Sequence, residues 1–293
     1  HNEESYLVQS PLFCVCDGMG GHAAGEVASS IAVETIAKTA PQSADAARLA
    51  AAVEAANAAV IEAALNGLGK PGMGCTATCA YIENDTLAIA HVGDSRAYLL
   101  HEGTLIRVTR DHSYVEELVD AGEITADEAR VHPNRSVITR ALGSDPAMYA
   151  DHFTLHIEEG DRLILCSDGL SSMIPDSDIE NIATQSSTAQ ICVDNLVDAA
   201  LAAGGHDNVT VVVVDLVDDG VMREAQRVRR RNITIAAILA LVFVLAAGIW
   251  AYTGVTGSYY LGTYQGNVAV WRGLPGKPLG LKLHWLESET SIK

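Results

Sequence analysis

Hydrophobic positions in the first 217 residues follow two periods. Short apolar or alternating runs occur at Leu12–Cys16, Thr76–Ile82, Thr86–Val92, Ala97–His101, Thr154–Ile157, Arg162–Cys166 and Val209–Leu216. Several are bounded by Gly, Asn or Asp, which predicts strands. Longer Ala-rich stretches at Gly25–Thr39 and Ala44–Leu65 contain no proline, and Ala189–Ala203 is amphipathic, so all three predict helices. Glu83-Asn84-Asp85 and Glu102-Gly103 read as hairpin connections between antiparallel strands. With helices lying between strand groups, the expectation is sheets layered with helices, an α/β sandwich rather than a doubly wound parallel sheet. From His112 to Leu142 the pattern turns helical and then irregular, which fits either a flap over a site or a peripheral helical hairpin.

A different pattern begins at Ile233. ITIAAILALVFVLAAGIWAY runs to Tyr252 without a charge, about the length that crosses a hydrocarbon core of roughly 30 Å as a helix. A buried soluble helix would normally show a polar face, and the position is too late for a signal peptide. Arg223, Arg227, Arg229, Arg230 and Arg231 precede the run, and Trp250 and Tyr252 end it. By the positive-inside rule the N-terminal side is cytoplasmic. The expected layout is a domain over 1–217, a basic juxtamembrane linker over 218–232, a single transmembrane helix over 233–252 and an extracytoplasmic segment over 253–293. That last segment has a Gly-Asn turn signal and a β-prone VAVW, which fits a hairpin in a small sensor module or a simple anchor tail.

Composition narrows the function. At 48% hydrophobic residues the chain can bury a sizeable core. Its net charge of −18 argues against nucleic acid as a partner. Residues 1–217 hold 32 acidic against 10 basic residues, an acidic body ahead of the basic collar. The six cysteines lie mostly in apolar runs and read as buried thiols of a reducing compartment. Cys75 and Cys79 have no further ligand nearby, so packing is favoured over zinc.

Four aspartates stand at the ends of apolar runs or beside glycine: Asp17 in FCVCDGMGGH, Asp94 in IAHVGDSRAY, Asp168 in LILCSDGLSS and Asp207 in GGHDNVTVVV. One Asp-Gly alone is most simply a turn. Four carboxylates on strand ends instead suggest an oxygen-rich site for a hard cation.

In this order, DGMGGHAAGE, GDSRAY, SDGL and HDNVTVVV, with NEES at residues 2–5, resemble the motifs of bacterial metal-dependent type 2C (PPM) Ser/Thr protein phosphatases over about residues 1–217. The resemblance implies an α-β-β-α sandwich of two mainly antiparallel sheets flanked by helices, to which the C-terminal transmembrane helix is added. It implies two to three Mn2+ or Mg2+ ions. Asp17 would bridge two of them, with the Gly18 carbonyl on one; Asp168 and Asp207 would bind the other, and Asp94 a third. Glu3 and Glu4 would act near the metals through water, Glu4 standing where Asp is commoner. Asp17, Asp168 and Asp207 would be catalytic through metal-activated water, with no cysteine nucleophile. Asn208 would orient Asp207 by an amide hydrogen bond, while His206, Ser95 and Arg96 would brace turns. His22 is one position removed from the family's usual His, so metal-bound water is preferred to it as the acid. Cys75 departs from a Thr pair completed by Thr76. The family's phosphate-binding Arg would precede His1, and the sequence, lacking an initiating Met, reads as a fragment.

The implied function is hydrolysis of phosphoserine and phosphothreonine in proteins at the bacterial cell membrane, opposing Ser/Thr kinases there. The alternative is a pseudophosphatase serving as sensor or scaffold. A scaffold has no need of repelling carboxylates.

Overall fold

The computed structural model describes residues 2–21, 23–217, 219–265, 267–276 and 281–289. The chain divides into two compact units, His1–Val217 and Asp218–Lys293. The first unit begins with β1 (Ser5–Gln9), β2 (Leu12–Cys16), β3 (Gly18–Met19), α1 (Ala23–Thr39) and α2 (Ala46–Leu65). Strands β4 (Gly74–Cys75), β5 (Ala77–Glu83), β6 (Thr86–Val92), β7 (Arg96–His101) and β8 (Thr104–Arg107) follow, then α3 (Tyr114–Asp120) and α4 (Ala126–Val131). Next come β9 (Asp151–His156), β10 (Arg162–Cys166), the one-turn α5 (Asp168–Ser171), α6 (Asp176–Gln185), α7 (Ala189–Ala202) and β11 (Val211–Asp215).

Two large sheets result, ordered β1-β2-β5-β6-β9 and β11-β10-β7-β8, beside a two-stranded β3-β4 ladder, with every neighbouring pair antiparallel. Their side chains sort into three cores. Leu12, Cys14 and Cys16 of β2 face α1 and α2, packing with Ala28, Ile36, Leu49 and Val53. Phe13 and Val15 point the other way and meet Leu99, Leu163 and Leu165 of the second sheet. Ile164 and Cys166 of β10 then join Leu170, Ile179 and Leu196 beneath α5, α6 and α7. This is the expected α-β-β-α sandwich, and it explains why β2 and β10 are apolar at every position but one: both faces of each are buried. Each fully buried Leu or Ile contributes roughly 1.5–3 kcal/mol.

Both expected hairpins form with two-residue turns. Asn84 (φ 54°) leads one, and Glu102 (φ 48°) with Gly103 (φ 80°) makes the other, a doubly left-handed turn matching the strand twist. Strands β1 and β8 and helix α6 carry little apolar signal, since β1 and β8 lie at sheet edges and α6 buries only Ile179 and Ala183. Residues 112–142 form the helical pair α3 and α4, followed by a return segment. Hydrogen bonds Tyr114 N to Val137 O (2.9 Å), Thr139 N to His112 O (2.8 Å) and Leu142 N to Cys75 O (2.9 Å) fasten that segment. The region is therefore a helical hairpin whose return segment, through Ser136 and Ile138, borders the central cavity.

The second unit comprises α8 (Asp219–Thr256), β12 (Tyr259–Tyr264), β13 (Asn267–Gly273) and β14 (His284–Glu289). Within α8, Arg231–Thr256 is long and apolar enough to cross a membrane, with mean hydropathy 2.6. The strands make an antiparallel sheet in the order β12-β13-β14. Trp271 packs edge-on against Tyr264 and His284 there. The expected hairpin thus gains a third strand, HWLESE, whose polar alternation reads weakly in sequence.

Candidate metal centre

The strand ends decide where the aspartates go. Asp17 follows the last residue of β2, Asp94 follows β6 across Gly93 (φ 108°), Asp168 opens α5 just after β10, and Asp207 precedes β11. Because β2 and β6 run in the same direction and β10 is antiparallel to β11, these positions share one end of the sandwich. All four line one cavity of about 590 Å³, together with Glu3 and Gly18.

Asp17 is fixed from both sides. Its N–H donates to Thr76 Oγ1 (2.9 Å) and its carbonyl accepts from Thr76 N–H (2.8 Å). Thr76 Oγ1 also shares a 2.7 Å hydrogen bond with Ser95 Oγ, so Ser95 braces the floor beside Asp94. Gly18 has no room for a side chain, because a Cβ would collide with the backbone carbonyls of Glu3 and Gly25. Asn208 behaves differently from expectation. Its Oδ1 accepts the Glu3 N–H (3.0 Å), while its own backbone N–H donates to Asp207 Oδ1 (2.8 Å). The side-chain amide thus ties down the N-terminal segment, and the main chain orients Asp207. Glu4 is buried behind the cavity wall, where Thr210 Oγ1 donates to its Oε2.

Electrostatically the cavity is acidic: no Lys or Arg lines it among the described residues, and Arg96, paired with Asp111, offsets the charge of Asp94 and Asp168 only in part. Burial, then the charge of Asp168, pushes the Asp17 carboxyl up to about 10. Burial, followed by Asp168, raises Asp94 to about 7. Burial and then Asp207 raise Asp168, and burial raises Glu4. Among the described residues, the buried side-chain oxygens with no hydrogen-bond partner are Glu4 Oε1, Asp94 Oδ1 and Asp168 Oδ1. Orphaned buried oxygens on mutually repelling carboxylates fit hard divalent cations, which would satisfy the lone pairs and remove the repulsion. Among the described residues no three His, Cys, Asp or Glu side chains close a metal cage by themselves.

Around this centre lie residues that carry little signal of their own in the sequence. His112 grips Gly93: its N–H donates to the Gly93 carbonyl (2.7 Å) and its Nδ1 accepts the Gly93 N–H (3.0 Å). Nε2 of His112 therefore carries the proton and donates to Asp151 Oδ2 (2.9 Å), which Arg140 also pairs. His91 stacks at 5.0 Å on His112 and bonds Thr78 Oγ1 and the Arg110 carbonyl. Arg96 braces the turn after Asp94 through Asp111, Nη2 to Oδ2 at 2.7 Å. The one pointer in sequence is RDHS at 110–113, where four polar or charged residues end a strand-like run. His206 lines the cavity, and His22 lies outside the described residues. All six cysteines are free and buried, and none lines the cavity.

Against this geometry stands one decisive comparison: the model of the family described as protein phosphatase 2C matches residues 1–209. The chain belongs to the protein phosphatase 2C family. It is 33% identical over 336 residues to the serine/threonine protein phosphatase PstP of Mycobacterium tuberculosis, covering 97% of this chain and 64% of that protein. It thus spans less than two thirds of that relative. The serine/threonine phosphatase stp of Listeria monocytogenes is 36% identical over 227 residues, covering 73% of this chain and 90% of its own. A crystal structure of the catalytic domain of PstP in complex with two manganese ions superposes with a TM-score of 0.68 at 39% identity, covering 74% of this chain and 93% of that one. The two antiparallel sheets flanked by helices are accordingly the protein phosphatase 2C fold.

Proposed function

We propose that this chain hydrolyses phosphoserine and phosphothreonine in proteins, using two to three Mn2+ or Mg2+ ions. The observation that carries the reading is the convergence of Asp17, Asp94, Asp168 and Asp207 on one cavity lined, among the described residues, by no Lys or Arg. Asp17 and the Gly18 carbonyl would hold one ion, Asp17 with Asp168 and Asp207 a second, and Asp94 a third, with Glu3 and Glu4 acting near them through water. When bound, such ions supply an acidified water as nucleophile and offset the charge of the phosphoryl oxygens. The chain's residues do the positioning: Thr76 fixes Asp17, the Asn208 main chain fixes Asp207, and His112 with Arg96 fixes the Gly93–Asp94 turn. A pseudophosphatase would have no use for carboxylates whose burial and mutual repulsion raise Asp17 to about 10.

The test is phosphate release from a phosphothreonine peptide by the full chain in detergent. Turnover is expected with Mn2+ and none after EDTA; a folded, metal-binding protein without turnover would reject the reading.

For location, the reading is a single-pass protein of the bacterial cell membrane. The acidic body lies in the cytoplasm, where it opposes membrane Ser/Thr kinases, and residues 253–293 lie outside. Its support is the apolar stretch Arg231–Thr256 and the arginines from 223 to 231. The expected result is sedimentation of the full chain with membranes after a high-salt or carbonate wash. Release into the supernatant would refute a spanning helix.

A further inference from the structure

Four of the six cysteines lie in one layer of the core, between the first sheet and helices α1 and α2. Cys14 and Cys16 come from β2, Cys75 from β4 and Cys79 from β5, and all four are fully buried. Cys14 Sγ lies 2.9 Å from Cys79 Sγ and 3.6 Å from Cys16 Sγ. The strand register decides which pair can be joined. Cys14 stands directly opposite Cys79. Ile82 N–H donates to Pro11 O (2.9 Å) and Thr76 N–H to Asp17 O (2.8 Å), so the hydrogen-bonded pairs fall at the odd-numbered positions of this stretch of β2. Cys14 and Cys79 are therefore a non-hydrogen-bonded pair, whose Cα atoms are about 4.5 Å apart in antiparallel sheets. Disulfides accept Cα separations of about 4.4–6.8 Å. Cys16 is two residues from Cys14 along one strand and on the same face, so their Cβ atoms are about 6.6 Å apart, beyond the roughly 3.5–4.5 Å a disulfide bridges. Cys75 stands diagonal to Cys16, and although their thiols hydrogen-bond, the Cα spacing of such a pair, about 7–8 Å, lies beyond the disulfide range.

We propose that Cys14 and Cys79 form a reversible oxidation site, a cross-strand disulfide made by a hydroperoxide and opened by thiols. The peroxide oxidises one thiol to a sulfenic acid with release of water or an alcohol. The second thiol attacks that sulfur, the S–S bond forms, and the sulfenic oxygen leaves with the second thiol's proton as water. Two thiols are oxidised by two electrons and one peroxide O–O bond is reduced. Closing the bond brings the sulfurs to about 2.05 Å and fastens β2 covalently to β5. These are the strands beside which Asp17 and Thr76 meet. Both sulfurs are fully buried, so a small oxidant reaches them only when the β2–β5 pair opens, and the reaction is slow. In a reducing compartment such a bond is transient.

The test is independent of turnover. The full chain in detergent is exposed to hydrogen peroxide, denatured with an alkylating reagent and mapped by mass spectrometry. The expected product joins the peptides bearing Cys14 and Cys79, lighter by two hydrogens. Dithiothreitol reverses it, and Cys166 and Cys192 stay alkylated. In Cys79→Ala, Cys14 is expected to stay unlinked; if that variant does not fold, the wild-type map decides alone. Full alkylation of Cys14 and Cys79 after peroxide, or Cys14 joined to a different cysteine, would overturn the proposal.

Discussion

Replacing Asp17 by Asn is expected to abolish metal-dependent phosphate release while making the metal-free protein more resistant to heat. The loss should exceed about 100-fold, because even residues that only support a metal ligand are commonly worth 10–100-fold. The gain in stability follows from charge. Asp17 has an ordinary value of 3.8 and about 10 in the fold, where burial and the neighbouring carboxylates disfavour its ionised form. A carboxyl raised in this way contributes stability below pH 3.8 that is lost as pH rises toward 10. At pH 7 the penalty is on the order of a few kcal/mol, and Asn does not carry it. A divalent cation would offset the same penalty, so Mn2+ should raise the Tm of the wild type and leave that of Asp17→Asn nearly unmoved. Calorimetry with and without Mn2+, beside the peptide assay, checks both halves. A metal-loaded, folded Asp17→Asn protein with full turnover would remove Asp17 from the mechanism.

The second large effect has the opposite sign. His91 is held neutral, its value lowered from 6.5 to about 4 by burial first and by His112 next. The unfolded chain takes up a proton below 6.5 and the folded chain does not, so stability is present above that pH and is lost as pH falls toward 4. By pH 5 this amounts to about 2 kcal/mol. His91 Nε2 donates to the Arg110 carbonyl, so the added proton goes to Nδ1 and breaks the bond that nitrogen accepts from Thr78 Oγ1. The fall in Tm between pH 7 and pH 5 should accordingly be smaller in His91→Gln than in the wild type. An equal fall in both proteins would show that another group governs acid sensitivity.

Which features could be read from sequence depended on whether the signal was local. Leu12–Cys16 and Arg162–Cys166 are found at their expected bounds because strands buried on both faces are written as nearly unbroken apolar runs. The aspartates were visible because Asp17, Asp94 and Asp168 follow such runs and Asp207 stands just ahead of one, and the structure brings all four to one cavity. His91 was hidden for the converse reason, since inside TLAIAHV it passes for ordinary strand filling. Asn208 shows a further limit: an amide beside Asp207 could serve either neighbour, and only the arrival of the Glu3 backbone, 205 residues away in sequence, settles it. The contact of Cys14 with Cys79 likewise depends on the pairing of β2 with β5, which neither strand specifies alone.

The strands that deliver Asp17 and Asp168 have no solvent-facing side. Such segments exchange their amide hydrogens only when the whole domain opens. The carboxylates are thus mounted on the slowest-opening part of the molecule, while Asp207, Gly205 and the 136–138 segment border the same cavity from loops. Ligands can enter and leave past the loop side without loosening the mount, so affinity and access can change independently.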